Sequence, residues 1–68
     1  MTTWKEKLNE KVLKRIEEYK ASAEVAPMYG LMEIVSTRVY AYLRALEDMG
    51  IINNSEFIQI DNNIWETK

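Results

Sequence analysis

Between Ser36 and Gly50 the chain carries the marks of a helix: a start, two unlike faces and a stop. Ser36 is a good N-cap, because its hydroxyl can accept from backbone N–H groups left unpaired in a first turn. Gly50 is a good stop, since glycine takes the left-handed conformation after a helix without steric cost. At about 100° per residue, Val39, Tyr42, Leu43 and Leu46 fall on one side, with Met49 at its edge. Thr37, Ala41, Arg44 and Ala45 fall on the other, with Arg38 and Tyr40 at the margins. A surface of arginines, hydroxyls and small alanines allows close approach to another molecule.

The rest of the chain is arranged before and after this helix. Trp4, Leu8, Val12, Ile16 and Tyr19 recur at helical spacing, with Leu13 widening the stripe, and predict a helix over 3–22. Thr3 and Glu6 have the spacing of a capping box. Lys7, Lys11 and Lys14 line a different face, read first as a solvated surface and second as a basic stripe for phosphate or a partner. Residues 21–27 read as a connection, because Pro27 disfavours helix at Ala26 and suits the first turn of a new one. A short helix is expected over 27–33, burying Met28, Leu31 and Met32, with Gly30 inside it at a cost of about 1 kcal/mol relative to alanine.

After Gly50, the β-branched pair Ile51-Ile52 starts an extended segment. Asn53-Asn54-Ser55 turns the chain. Residues 56–61 and 64–67 then read as two strands joined at Asn62-Asn63, which tolerates the positive φ of a tight hairpin turn. That register places Ile58, Ile60 and Trp65 on one face, with Gln59, Asp61 and Glu66 mostly on the other. Phe57 falls on the outer face.

The bulk numbers narrow the function. The chain has 68 residues, enough for one small domain, and 47% of them are hydrophobic, a fraction that suits a folded core. It contains no histidine and no cysteine, which removes the commonest general base, the commonest zinc ligands and any disulfide. The adjacent acids Glu17-Glu18 and Glu47-Asp48 point in different directions on a helix and form no dyad. An enzyme, a metal site and a cofactor are therefore not expected. No apolar run approaches the ~20 residues that span a bilayer, and no signal peptide is evident; a soluble cytoplasmic protein is the expectation. Net charge is −2. Residues 1–20 carry six basic and four acidic side chains, and residues 21–68 three basic and seven acidic. Any nucleic-acid surface must therefore be local and salt-sensitive.

The order helix, short helix, helix, hairpin resembles a winged helix-turn-helix domain. The resemblance is carried by Ile34, Ser36, Val39, Leu43, Leu46, Glu47, Gly50 and Ile51, whose spacing matches that family's turn and third helix. It covers about residues 24–67, and its specific part is residues 34–52. It implies a single α+β domain over 1–68: helix 3–22, helix 27–33, recognition helix 37–49 and hairpin wing 56–67. It also implies a small transcriptional regulator that lays the recognition helix in the major groove of double-stranded DNA. Ser36, Thr37, Arg38, Tyr40, Ala41 and Arg44 would then face DNA, with Asn62 and Asn63 at the wing. Ser36, Thr37 and Tyr40 can bond phosphate oxygens, and Arg38 or Arg44 can read guanine.

The chain departs from that pattern in three places. Bulky Tyr29 stands where the family has a small alanine. The wing tip Asp61-Asn62-Asn63 carries no lysine or arginine. Glu47 and Asp48 close the third helix with negative charge. The alternative is a protein-interaction module on the same scaffold, such as a viral or mobile-element inhibitor of a host protein. A homodimer through the first helix is also expected, with Trp4 at the interface; otherwise Trp4 packs on the chain's own hairpin.

Overall fold

The computed structural model describes residues 4–66, and all regular structure among them is helical. Helix α1 is Trp4–Lys7, α2 is Glu10–Tyr29, α3 is Met32–Asp48 and α4 is Asn54–Trp65. Helices α2, α3 and α4 pack pairwise as a three-helix bundle. The short α1 folds back along the outside of α4.

The expected α+β fold with a hairpin wing is overturned at residues 54–65. Asn53 caps α4, and Glu56 completes a reciprocal capping box with it. From there Phe57, Ile60 and Ile64 recur at helical spacing, and both isoleucines are fully buried. Ile58, which the strand register turned inward, is instead 52% exposed. Asn62 and Asn63 lie inside the last turns of α4 and form no turn.

The first half of the chain also divides differently. A break at Leu8–Asn9 separates α1 from α2, and Asn9 caps the longer helix by accepting from the Val12 N–H at 2.9 Å. Thr3, the partner expected for Glu6, lies outside the described residues. Helix α2 then runs straight through Pro27. Ala23 and Ala26 both face the core, at 1% and 0% exposure, so continuing the helix buries them. The proline sits in the last turn, where it lacks the N–H that would donate to the Ala23 carbonyl and sets its ring against that carbonyl. No separate helix spans 27–33. Gly30, at φ +68°, stops α2 in the left-handed conformation, and the Leu31 N–H donates to the Ala26 carbonyl at 2.9 Å.

Because α2 ends at Gly30, α3 starts at once, four residues before Ser36. Its N-cap is Leu31, which makes no side-chain capping bond. Ser36 is thus an exposed residue within the helix, and Val35, one turn ahead of Val39, packs on the core. The far end matches expectation. Gly50 has φ +76°, the Gly50 N–H donates to the Glu47 carbonyl at 3.0 Å, and the Ile51 N–H donates to the Leu46 carbonyl at 2.9 Å. These two bonds are the pair that closes a helix through a left-handed glycine.

The two-residue turn makes α2 and α3 an antiparallel hairpin. Tyr19 and Tyr42 stand equally far along the chain from it, and their ring centroids are 5.5 Å apart. Burial pushes the Tyr42 phenol above its usual pKa, with the Arg15 charge opposing. The core is built from Leu8, Ile16 and Ala23 of the first segment, Val39, Leu43 and Leu46 of α3, Ile52 of the loop, and Ile60 and Ile64 of α4. Of the apolar stripes expected for the first and third helices, Leu8, Ile16, Val39, Leu43 and Leu46 are buried, Trp4, Val12, Leu13, Tyr19 and Tyr42 are partly buried, and Met49 at the edge is exposed.

Candidate interaction surface

The three bundle helices alternate in direction. The C-terminal ends of α2 and α4 therefore lie together with the N-terminal end of α3. A shallow concavity of about 440 Å³ records this meeting: Met32, Glu33 and Ser36 of α3 line it with Trp65 of α4.

This end of the bundle is unusually apolar at its surface. Met28 is 71% exposed, Tyr29 68%, Ile34 51% and Met32 45%, and Val25 and Leu31 are also exposed. These side chains lie within ten residues spanning the α2–α3 turn. They surround the turn on more than one side: Met32 lines the concavity beside Trp65, and Ile34 lines a separate hollow with Thr37 and Arg38. The sequence reading buried Met28, Leu31 and Met32 beneath a short helix. Continuing the phase of α2 across Pro27 shows why Met28 is exposed: it falls on the side away from Ala23 and Ala26.

The residues expected to face DNA are all on α3 and all exposed. They do not share one face. Thr37, Arg38, Ala41 and Arg44 point away from the bundle, whereas Ser36 and Tyr40 lie toward α4. Ser36 lines the concavity beside Trp65, and the Tyr40 ring meets Phe57 edge-on at 5.7 Å. Thr37 donates its hydroxyl to the Glu33 carbonyl at 2.9 Å, as a mid-helix threonine does. With Arg38, Glu33 and Ile34 it lines a second shallow hollow of about 320 Å³. The Arg44 guanidinium lies 3.8 Å from Glu47 and 3.9 Å from Asp48. Both pairs are exposed and weak, but they place two negative charges beside this arginine.

Asn62 and Asn63, expected at the wing, line a hollow on the flank of α4 with Trp4, Gln59 and Glu66. Trp4 is half-buried there, and the Lys5 ammonium lies 5.6 Å from its ring centroid. The Asn63 Oδ1 is buried without a hydrogen-bond partner. Among the described residues, no group of three or more acidic side chains is placed to hold a metal ion, and no helix is long and apolar enough to cross a membrane.

No protein-family model, curated protein or solved structure matches this chain.

Proposed function

We propose that this chain is a small helical protein-interaction module that engages a partner through the apolar end formed by the α2–α3 turn. The observation that carries this reading is the exposure of Met28, Tyr29, Met32 and Ile34 on a domain that already buries a complete core. Large apolar side chains left in water at one place are the usual mark of a surface that another protein covers. Methionine suits the role, because its flexible thioether adapts to the shape of what it meets. The test is a photo-crosslinking residue at Met28, expressed in the native host. A discrete protein adduct is expected there, and none with the same residue at Glu17 on the exposed middle of α2. No adduct at Met28 overturns the reading.

Binding of double-stranded DNA through α3 is the second reading. It is favoured by the outward row Thr37, Arg38, Ala41 and Arg44, which is open and accessible. The acidic neighbours of Arg44 and the net charge of −2 weigh against it. A low-salt anisotropy titration against mixed duplex DNA separates the two. Binding that disappears in Arg38→Ala/Arg44→Ala would establish the DNA reading, and no binding would dismiss it.

A further inference from the structure

The charges around the apolar end select among partners. Within residues 21–37 the charged side chains are Glu24 and Glu33, and within residues 57–66 they are Asp61 and Glu66; all four are acidic. Arg38, one turn after Ile34, lines the outer hollow with Glu33, Ile34 and Thr37 and is a basic side chain at the edge of this end, where the four acids outnumber it. Lys5, on the flank of α4, is folded over Trp4. Backbone dipoles add to the acidity. Two helix C-termini, of α2 and α4, converge on this end against one N-terminus, of α3. Neither α2 nor α4 has a basic residue in its last turn to offset its negative pole. Glu33 itself lines the concavity between Met32 and Trp65.

We infer that this end binds a cationic amphipathic helix of another protein. This rests on the protein-interaction reading above and adds the chemical class of the partner. The apolar side of such a helix covers Met28, Tyr29, Met32 and Ile34. Its flanking lysines or arginines meet Glu24, Glu33 and the two negative helix ends. A second copy of this chain is the poorer occupant, because a two-fold contact here brings two surfaces of the same negative sign together.

The probe is a synthetic leucine–lysine amphipathic helix of about 18 residues, long enough to hold its shape. It is compared with the same peptide carrying glutamate for lysine, and with a scrambled leucine–lysine peptide that has no apolar face. Binding is read by Trp65 emission in a Trp4→Phe background and by backbone amide shifts. The expected result is saturable binding of the leucine–lysine helix alone, with shifts confined to residues 25–36 and the end of α4. Glu24→Gln/Glu33→Gln should weaken binding by about tenfold and flatten its salt dependence, as for charge pairs at an interface. Met32→Asp should weaken it as well. Helical circular dichroism of each variant confirms that these exposed substitutions leave the fold intact.

Equal binding of the lysine and glutamate helices overturns the cationic class. So does binding of neither peptide, or self-association abolished by Met32→Asp. In each of these cases a crosslinked host protein at Met28 would still stand for the interaction reading, so the two failures are distinguishable.

Discussion

Asn53 and Glu56 satisfy each other's backbone. The Glu56 N–H donates to Asn53 Oδ1 at 2.8 Å, and the Asn53 N–H donates to Glu56 Oε1 at 2.8 Å. Two donors that a helix start would leave unpaired are thereby matched. Asn53→Ala removes one bond and leaves the Glu56 N–H without its acceptor. A loss of about 1 kcal/mol is expected. In a domain of this size that lowers Tm by about 4–8 °C in a thermal melt. Asn54→Ala, one residue inside the helix, serves as the control and should change little.

Glu56 also ties the two ends of the fold together. The Lys7 ammonium lies 2.8 Å from Glu56 Oε1, joining the end of α1 to the start of α4. The Lys7 hydrogen bond, followed by the Asn53 backbone N–H, holds the Glu56 carboxyl below its ordinary pKa of 4.5. A carboxylate with a depressed folded pKa contributes stability that is present above the unfolded value. That stability is lost as pH falls through the folded value. Urea melts taken from neutral pH down through the carboxylate range should show this loss in the parent. They should show it much reduced in Glu56→Gln, with Lys7→Met intermediate. Parallel curves for parent and Glu56→Gln would show that another group carries the acid sensitivity.

The same Asn53–Glu56 pair explains what was legible in the sequence. Asn-x-x-Glu ahead of Phe57, Ile60 and Ile64 is a helix start followed by a helical stripe. Ile58 and Ile60, alternating up to Asn62-Asn63, also satisfy a strand. Over so short a run the two periods compete. Phe57, which the hairpin turned outward, is the residue that separates them, because only the helical phase packs it against the core. The long stripes of the first segment and of α3 had no such competitor, and their buried residues were readable. Pro27 misled for a different reason. Its local preference for a helix start was outweighed by burial of Ala23 and Ala26, a tertiary effect that no local pattern contains. The exposed apolar end followed from that error, since ending α2 early turned Met28 inward. Thr37, Ala41, Arg44 and Ala45, on the side of α3 away from its apolar stripe, are all exposed, as are Arg38 and Tyr40 at its margins.

Gly30 is required for its backbone. A Cβ there meets nothing within 4 Å, so space does not restrict the site, but φ is +68°. Gly30→Ala should cost about 1 kcal/mol, the left-handed penalty less the entropy removed from the unfolded chain. The urea midpoint should fall with an unchanged slope. D-alanine at position 30, made by chemical synthesis, has the opposite preference and should raise the midpoint above that of the parent. If D-alanine destabilises as L-alanine does, conformation is not the reason for the glycine.

Asn63 is a removable defect. Its Oδ1 is buried without a partner, on the face of α4 that α1 crosses. Leaving a buried acceptor unmatched costs about 1–3 kcal/mol. Asn63→Leu keeps the branching at Cγ in a larger side chain, removes the polar atom and is a better helix former, so a gain of about 1 kcal/mol is expected. Asn62→Leu, one residue away and exposed, should stay within about 0.5 kcal/mol of the parent. A thermal melt of the two variants side by side checks this. Equal effects would trace the gain to helix propensity alone.

Trp4 has a seat on its own chain. It is half-buried against the core and lines a hollow with Gln59, Asn62 and Asn63 of α4 and Glu66 just beyond it, with Lys5 over its ring. Residue Leu8, one turn on, is buried in the core and anchors the segment from the other side. The intramolecular alternative weighed for Trp4 therefore has a concrete form, with the flank of α4 in place of a hairpin. Trp4→Ala should destabilise the chain by about 1–2 kcal/mol, the share of a large apolar side chain that is half covered. Sedimentation should then give the same mass for parent and variant. The opposite pattern is a parent that sediments as a dimer and a Trp4→Ala chain that is monomeric and equally stable. It would mean that the indole is held by a second copy and that its contact with α4 contributes little.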